Sequence, residues 1–588
     1  LGKQSRARRL QKDASSARPG APALSLPPLT VSPSSERLAL GLILLLGLLL
    51  RLAYLLEYRA QSIYYGHLML DAQVYENWAR RIAGGQWLGG GVFYHAPLYP
   101  YLLALFFKVL GGGYLPIYLL QMLLGIAGLF LAYRVGRRCA SGWIGIAAAA
   151  FLLFYAPLPF FETKIMSTSL ALFFSTLALV ALVEAWDRGG TLRWLGAGGL
   201  IGLTALVNPA SLLLAPCFAA GLFFRKGRLP ELAALAAGCI LAVAPATLHN
   251  LSQQGGFVLI SSQGGITFYQ GNTPKSRGLY RAADGFSGSP LTQMDEEKAL
   301  AEKEVGHPLR ASEVSSFWFR KGLQAIAAQP GAALTLLQLK LLRWFSSVEY
   351  STEYSQSIER EELATLWIPI LPFGFLAVGG LAGILLGYRA YPRLLPVFLY
   401  LAGTLAPPMI FYVSSRYRLP AVPALAVLTA TALERIVARF RARGMLEALP
   451  AILIILMASA LTLAPFGRDH LFQDANVHYN TGNLYYDRGE YDAAIGEYRQ
   501  ALQVSDFEYY RINLGNALTR KGRYDEAIEQ YRLASQKQPG FAKSYVQWAK
   551  ALALQGKLEE ARTVYQRALQ LKARSSEVEG MLSGTSRP

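Results

Sequence analysis

The stretch LDAQVYENWARRIAGG, Leu70–Gly85, followed closely by GVFYHAPLYPYLLALFFKVLGG, Gly91–Gly112, decides how the rest of the chain is read. In the first part, Leu70, Val74, Tyr75, Trp78 and Ile82 recur at helical spacing, which predicts an amphipathic helix beginning at Asp71. On spacing alone, Asp71 reads as the N-cap of that helix, its carboxylate satisfying free backbone N–H groups. In the second part, the apolar run Leu98–Leu110 has 13 residues and contains Lys108. A helix needs about 20 residues to cross a bilayer, so this run predicts an interfacial or re-entrant helix.

That choice sets the sidedness of everything downstream. Eleven apolar stretches predict crossings near 38–56, 115–133, 143–160, 167–185, 192–207, 209–224, 231–250, 364–387, 394–412, 418–436 and 449–465. If 98–110 does not cross, Arg134/Arg137/Arg138, Arg188/Arg193, Arg225/Lys226/Arg228, Arg389/Arg393 and Arg435/Arg439/Arg441/Arg443 all share the side of the basic N-terminal arm. Such clustering of Lys and Arg marks the cytoplasmic face. The expectation is an all-α, polytopic membrane protein: a disordered cytoplasmic arm at 1–37, then a membrane domain at 38–466 with outer loops at 57–114 and 251–363. Residues 331–347 predict a helix lying on the membrane surface.

Composition agrees. Of 588 residues, 53% are hydrophobic and only 16% charged, where a soluble domain carries about a quarter. A single soluble globule is excluded. The net charge is +19, yet residues 467–588 hold 17 Lys+Arg against 15 Asp+Glu, so the basic excess belongs to the apolar part. Membrane topology explains that better than nucleic acid, and no nucleic-acid partner is expected. Cys139, Cys217 and Cys239 lack metal-ligand spacing, the six histidines are scattered, and no clustered acids mark a metal site. The residues make no case for an obligatory cofactor or metal, and a divalent ion stays open.

After residue 475 the text becomes a repeat. Gly489, Gly522 and Gly556 are 33 and 34 residues apart, and each is followed by an aligned Ala (Ala494, Ala527, Ala561), Tyr (Tyr498, Tyr531, Tyr565) and Ala (Ala501, Ala534, Ala568). This period, with Gly482 and Gly515 in the first helices and Pro539 closing a repeat, resembles tetratricopeptide repeats. Three repeats are expected over 476–573, outside the cytoplasm, as a small α-solenoid suited to binding a protein partner, with 574–588 as a tail.

The opening stretch resembles the GT-C membrane glycosyltransferases, in particular the group containing protein O-mannosyltransferases and lipid A aminoarabinose transferases. Asp71, His95 and Pro97-Leu98-Tyr99-Pro100 match the family's outer-loop acid and Pro motif in order and distance. FFETKIMSTSL, with Glu162, and SSRYRLPAVP, with Arg416 and Arg418, resemble two further family stretches. The likeness covers most of 38–465 and is weak through 251–330. It implies sugar transfer from a polyprenyl-phosphate donor to an acceptor hydroxyl at the outer leaflet, in a bacterial inner membrane.

That resemblance implies roles for particular residues. Asp71 is the candidate general base, with Glu162 a second catalytic acid, though the family residue there is often Asp. His95, Lys164, Arg416 and Arg418 are candidates for the donor phosphate; the two arginines also break the charge rule by lying at the outer face, and Arg grips phosphate bidentately. Tyr75, Tyr94, Tyr269, Asn272 and Glu349 are candidate acceptor or sugar contacts, and Glu353 reads with Glu349 as either cavity lining or solvent contact. The Gly-rich run Ser261–Pro274 follows no nucleotide-binding pattern and is expected to be a tight turn or loop over the site. Two other classes remain in view: a non-enzymatic scaffold that only anchors the repeats, and a lipid-linked sugar flippase. A flippase needs polar residues along a path within crossings, whereas the polar candidates here gather at one surface.

Overall fold

The computed structural model describes residues 29–463, apart from 226, 283–285 and 287–289, and residues 469–584. The basic arm expected at 1–37 thus falls, up to residue 28, outside the described residues. Among the described residues every regular element is helical, and the extended pairings are two isolated bridges, Tyr155 with Leu371 and Leu279 with Val413.

Helices stand at all eleven apolar stretches, but not all are full-length crossings. Six are long and apolar enough to span a membrane: Pro33–Gln61, Leu115–Cys139, Thr168–Arg188, Leu229–Ser252, Pro392–Ile410 and Ser415–Ala442. A seventh results if Ala311–Ala328 and Pro330–Phe345, bent by 106°, count as one span. Several others are shorter. The stretch read as 143–160 breaks after Leu153 and resumes at Pro157, and the stretch read from 364 becomes an α-helix only at Phe373. The two breaks face each other: Leu371 N donates to Phe154 O at 2.9 Å and Ala156 N to Leu371 O at 3.4 Å, so backbone groups freed at one break are satisfied by the other. Leu98–Leu110 is a 13-residue helix closed by Gly111 at φ 80°, as its length requires, and it packs on Asp71–Ala83.

Close helix approach is bought with small residues. A Cβ added at Gly198 would run into the Leu235 carbonyl oxygen, and one at Gly238 into the Leu195 carbonyl oxygen, so Thr191–Ala205 and Leu229–Ser252 meet backbone to backbone. Apolar burial drives little helix association in lipid, so such contact, with its dispersion energy, takes over that work.

Ion pairs gather the basic turns at one end of the bundle. Arg138 and Arg393 meet Asp187 at 2.7 and 3.6 Å, Arg134 meets Glu184 at 3.0 Å, and Arg137 meets Glu36 at 3.0 Å. These join the start of the first span to the ends of Leu115–Cys139 and Thr168–Arg188. Asp71, His95, Asn208 and Arg416, from the loops and element starts between the spans, share one cavity.

The repeats form three helix pairs from Asp469–Asp487 to Leu558–Gln570. Gly482 and Gly515 are required by close approach, since a Cβ there would lie 2.7 and 2.6 Å from the rings of Tyr498 and Tyr531. The segment expected as a tail instead contains a helix, Ser576–Ser583, whose buried Val578 packs on Ala549, Tyr565 and Ala568. It covers the apolar face that a last repeat would otherwise leave open. Gly198→Ala should lower thermal stability in detergent by about 1–3 kcal/mol through overpacking; Gly199→Ala, whose Cβ would have only a contact at 4.0 Å, should not.

Candidate active site

Three loops are pinned together before any functional side chain is placed. Ser415 N donates to Tyr350 O (3.0 Å) and Met69 N to the Tyr354 hydroxyl (3.3 Å), which brings the segment around residue 353 against both the first loop and the start of the last long span. Asn250 accepts from Phe93 N (2.9 Å) and donates to Val258 O and Ile260 O, while Ser262 N donates to Phe93 O. This holds the His95 segment against the loop at 258–263.

The result is a cavity of about 1370 Å³. Asp71, Tyr75, His95, Asn208, Glu353 and Arg416 lie on its wall. Arg416 Nη1 donates to Asp71 Oδ2 at 2.9 Å and to Glu353 Oε1 at 2.8 Å. Asp71 is not the N-cap that spacing suggested. The cap position belongs to Leu70, with no side-chain capping bond, and the carboxylate turns to the arginine instead.

The two carboxyls are driven apart in proton affinity. For Asp71, burial acts to raise the pKa, but Arg416 and His95 outweigh it and hold the group below its ordinary value, ionised. For Glu353, burial and then the charge of Asp71 push the pKa well above the carboxylate range, so it keeps its proton. Burial lowers the His95 imidazole against the pull of Asp71, which leaves it neutral near pH 7. Arg416 Nε and His95 Nε2 are both buried without a hydrogen-bond partner. An arginine and a histidine on one cavity wall suit an incoming anion. Among the described residues no three His, Cys, Asp or Glu side chains cluster as a metal site.

The other sequence candidates are distributed differently. Tyr75 reaches the cavity and packs edge-on to His95. Tyr94 turns into a neighbouring vestibule, its hydroxyl donating to Glu297 at 3.3 Å. Glu162 and Lys164 do not line the Asp71 cavity. Glu162 is gripped by Arg51 through two bonds of 2.7 and 2.8 Å, and Lys164 donates to both oxygens of Glu359 at 2.6 and 2.9 Å while lying 4.3 Å from the Tyr58 ring centroid. A buried charge must be paired, and these already are. Their stretch reaches the cavity through Ser167 and Thr168. Arg418 is buried among the Ser346 and Val348 carbonyls and Glu349, so Arg418 and Glu349 brace the loop rather than face the cavity.

The Gly-rich run is a correction as well. Gly264–Asn272 is a helix, and its glycines serve packing: a Cβ at Gly265 would strike the Ser315 carbonyl and one at Gly271 the Phe411 carbonyl. Tyr269 packs on Trp318, and Asn272 bonds to Phe268, Ile410 and Lys340, so neither lines the cavity; Ser261, Gln263, Gly264 and Thr267 do. Arg51 had a signal that sequence reasoning passed over, a lone cation inside an apolar span, which calls for a partner. Asn208, Gln263 and Tyr280 carried none.

Residues 94–249 match the family described as dolichyl-phosphate-mannose-protein mannosyltransferase, and residues 479–540 and 512–576 match the tetratricopeptide repeat. The resemblance drawn from the first outer loop and from the repeat period is thereby borne out. No curated protein matches the chain. Among solved structures, it is similar to the Archaeoglobus fulgidus oligosaccharyltransferase in the apo form, at 14% identity and TM-score 0.42, over 81% of this chain and 60% of that one. It is also similar to the archaeal oligosaccharyltransferase AglB of the same organism in complex with an inhibitory peptide and a dolichol-phosphate, at 13% identity and TM-score 0.37, over 88% and 72% of the two chains. This chain thus spans about 60% of the length of the first.

The buried pair gives a test of its structural role. Arg51→Ala should cost about 3–5 kcal/mol by stranding Glu162 in an apolar surround, and an added Glu162→Leu should recover most of it. Thermal unfolding of both variants in detergent measures the difference.

Proposed function

We propose that the chain is an integral membrane glycosyltransferase that moves a sugar from a polyprenyl-phosphate carrier to an acceptor hydroxyl at the extracytoplasmic face. The observation that carries this reading is the shared cavity: an ionised Asp71, Arg416 and His95 lie on its wall together. The family matched by residues 94–249 supports it. The ion-paired basic end of the bundle then faces the cytoplasm, as the distribution of Lys and Arg favours. A bacterial inner membrane is the setting that the sequence resemblance implies.

In the step this geometry favours, an acceptor hydroxyl approaches Asp71 and gives its proton to the carboxylate. Its oxygen forms a bond to the anomeric carbon as the bond from that carbon to the phosphate oxygen breaks. The electron pair leaves with the polyprenyl phosphate, whose developing charge is met by Arg416 and His95. A phosphate is a competent leaving group, so no general acid is required. Direct displacement inverts the anomeric centre.

Two experiments test the assignment. With purified protein and a radiolabelled polyprenyl-phosphate sugar, Asp71→Asn should reduce transfer by about 100-fold or more, the scale of a lost general base, with the folded state intact; a fully active variant rejects the role. Arg416→Ala should raise the apparent donor KM more than the acceptor KM, and the reverse pattern counts against phosphate binding. The pH profile of transfer provides the second. Asp71, with its lowered pKa, stays ionised from pH 5 upward, whereas Glu353 releases its proton only above the ordinary carboxylate range and then adds a second negative charge beside the leaving phosphate. Activity should therefore fall on the alkaline side, and Glu353→Gln, which cannot ionise, should flatten that limb while keeping most of the neutral-pH rate.

A further inference from the structure

A second cavity, of about 1020 Å³, opens on the far side of Leu70. One wall is the first loop at Leu68, Met69, Leu70 and Gln73, and the other is the inner face of the first two repeats. The two parts are joined by a bond of 2.8 Å between the buried hydroxyls of Tyr64 and Thr481. Leu70 lines both this groove and the cavity of Asp71. Its backbone lies at φ 48° and ψ −118°, a conformation that side-chain-bearing residues rarely adopt. Strain of this kind costs on the order of 1–3 kcal/mol and persists where the surroundings over-determine it. Here it sits on the threshold between two cavities, one residue from the candidate base.

The repeat wall has its own pattern. Asn480 and Asn483 recur as Asn513 and Asn516 one period later, and all four line the groove. The Tyr498 hydroxyl donates to Asn483 Oδ1 at 2.8 Å, and the Tyr531 hydroxyl donates to Asn516 Oδ1 at 2.8 Å, the same bond in successive repeats. Asn513 Nδ2 donates in turn to Asn483 Oδ1 and to the Tyr479 hydroxyl. The amides of Asn483, Asn513 and Asn516 are therefore held in set orientations. A row of primary amides, which as a set supplies donors and acceptors, complements the alternating C=O and N–H groups of an extended peptide and ignores its side chains. Among the described residues no Lys or Arg lines the groove, so an anionic glycan or phosphorylated chain would enter uncompensated, beside Asp487.

From this we propose that the groove is the acceptor channel: an extended, unfolded polypeptide lies along the asparagine row, crosses Leu70, and presents a Ser or Thr hydroxyl to Asp71. Only the last step rests on the glycosyl-transfer reading; capture of the peptide does not.

The test uses the full chain in lipid nanodiscs and a fluorescein-labelled, uncharged 15-residue peptide of Gly, Ala and Thr, with labelled maltoheptaose as the glycan probe. By fluorescence anisotropy the peptide should bind the wild type and Asp71→Asn equally, and Asn483→Ala with Asn516→Ala should weaken it about tenfold, the loss of two ordinary hydrogen bonds. Asn480→Ala guards against misfolding. No side-chain bond of Asn480 within the protein would be broken by it, so it should keep the thermal stability of the wild type and still weaken binding. In the transfer assay the same variants should raise the peptide KM and leave the donor KM unchanged. Peptide capture that depends on the asparagines but yields no transfer supports the channel and counts against the transfer reading. Absence of peptide binding, binding or transfer indifferent to all three asparagines, or tighter binding of maltoheptaose than of peptide each overturns the channel.

Discussion

Arg416 is the hinge of the site because one nitrogen of its guanidinium bonds two carboxyl groups, Asp71 and Glu353, that the sequence places 282 residues apart. All three side chains are largely withdrawn from water, at 16%, 14% and 6% exposure, and none would be tolerable there alone. Their pairing therefore sets both the geometry and the protonation. The arginine holds Asp71 ionised, and the ionised Asp71 in turn keeps the proton on Glu353. The site thus holds one charged and one neutral carboxyl side by side.

A second set of buried charges lies close by and does something else. Arg51 with Glu162, and Lys164 with Glu359, use the same residue types, yet their hydrogen-bonding capacity is spent on one another. Tyr54 links the two pairs, its hydroxyl reaching Glu359 and Thr163. The set ties the first span to the turn after Glu162 and to the short helix Gln356–Glu362, which follows directly on the loop carrying Glu353. What separates the two sets is where they lie: Asp71, Glu353 and Arg416 line the cavity, and the paired charges around Glu162 and Lys164 do not.

The repeats are part of this arrangement rather than an appendage. Their first helix pair packs on the loop that ends in Asp71, through Tyr64 and Thr481 and across a groove that shares Leu70 with the cavity of Asp71. That groove therefore lies one residue from the candidate base.

Periodicity and length were enough to establish the all-helical class, the short helix Leu98–Leu110, the repeat and the gathering of basic turns, because each depends on local spacing or on the cost of burying charge in lipid. Asp71, Arg416, His95 and Tyr75, singled out through motif resemblance, are brought to one cavity. The rest was not. Whether Glu162, Lys164 or Arg418 faces a cavity or a partner depends on Arg51, Glu359 and the Ser346 carbonyl, which no spacing connects to them. Glycines at 265 and 271 look alike in a turn and in a tight helix contact, and only the neighbouring backbone distinguishes the two. Local sequence determines which segments are helical and roughly which can cross a membrane. Tertiary structure decides which buried charges are already satisfied, since that depends on partners brought together from across the chain.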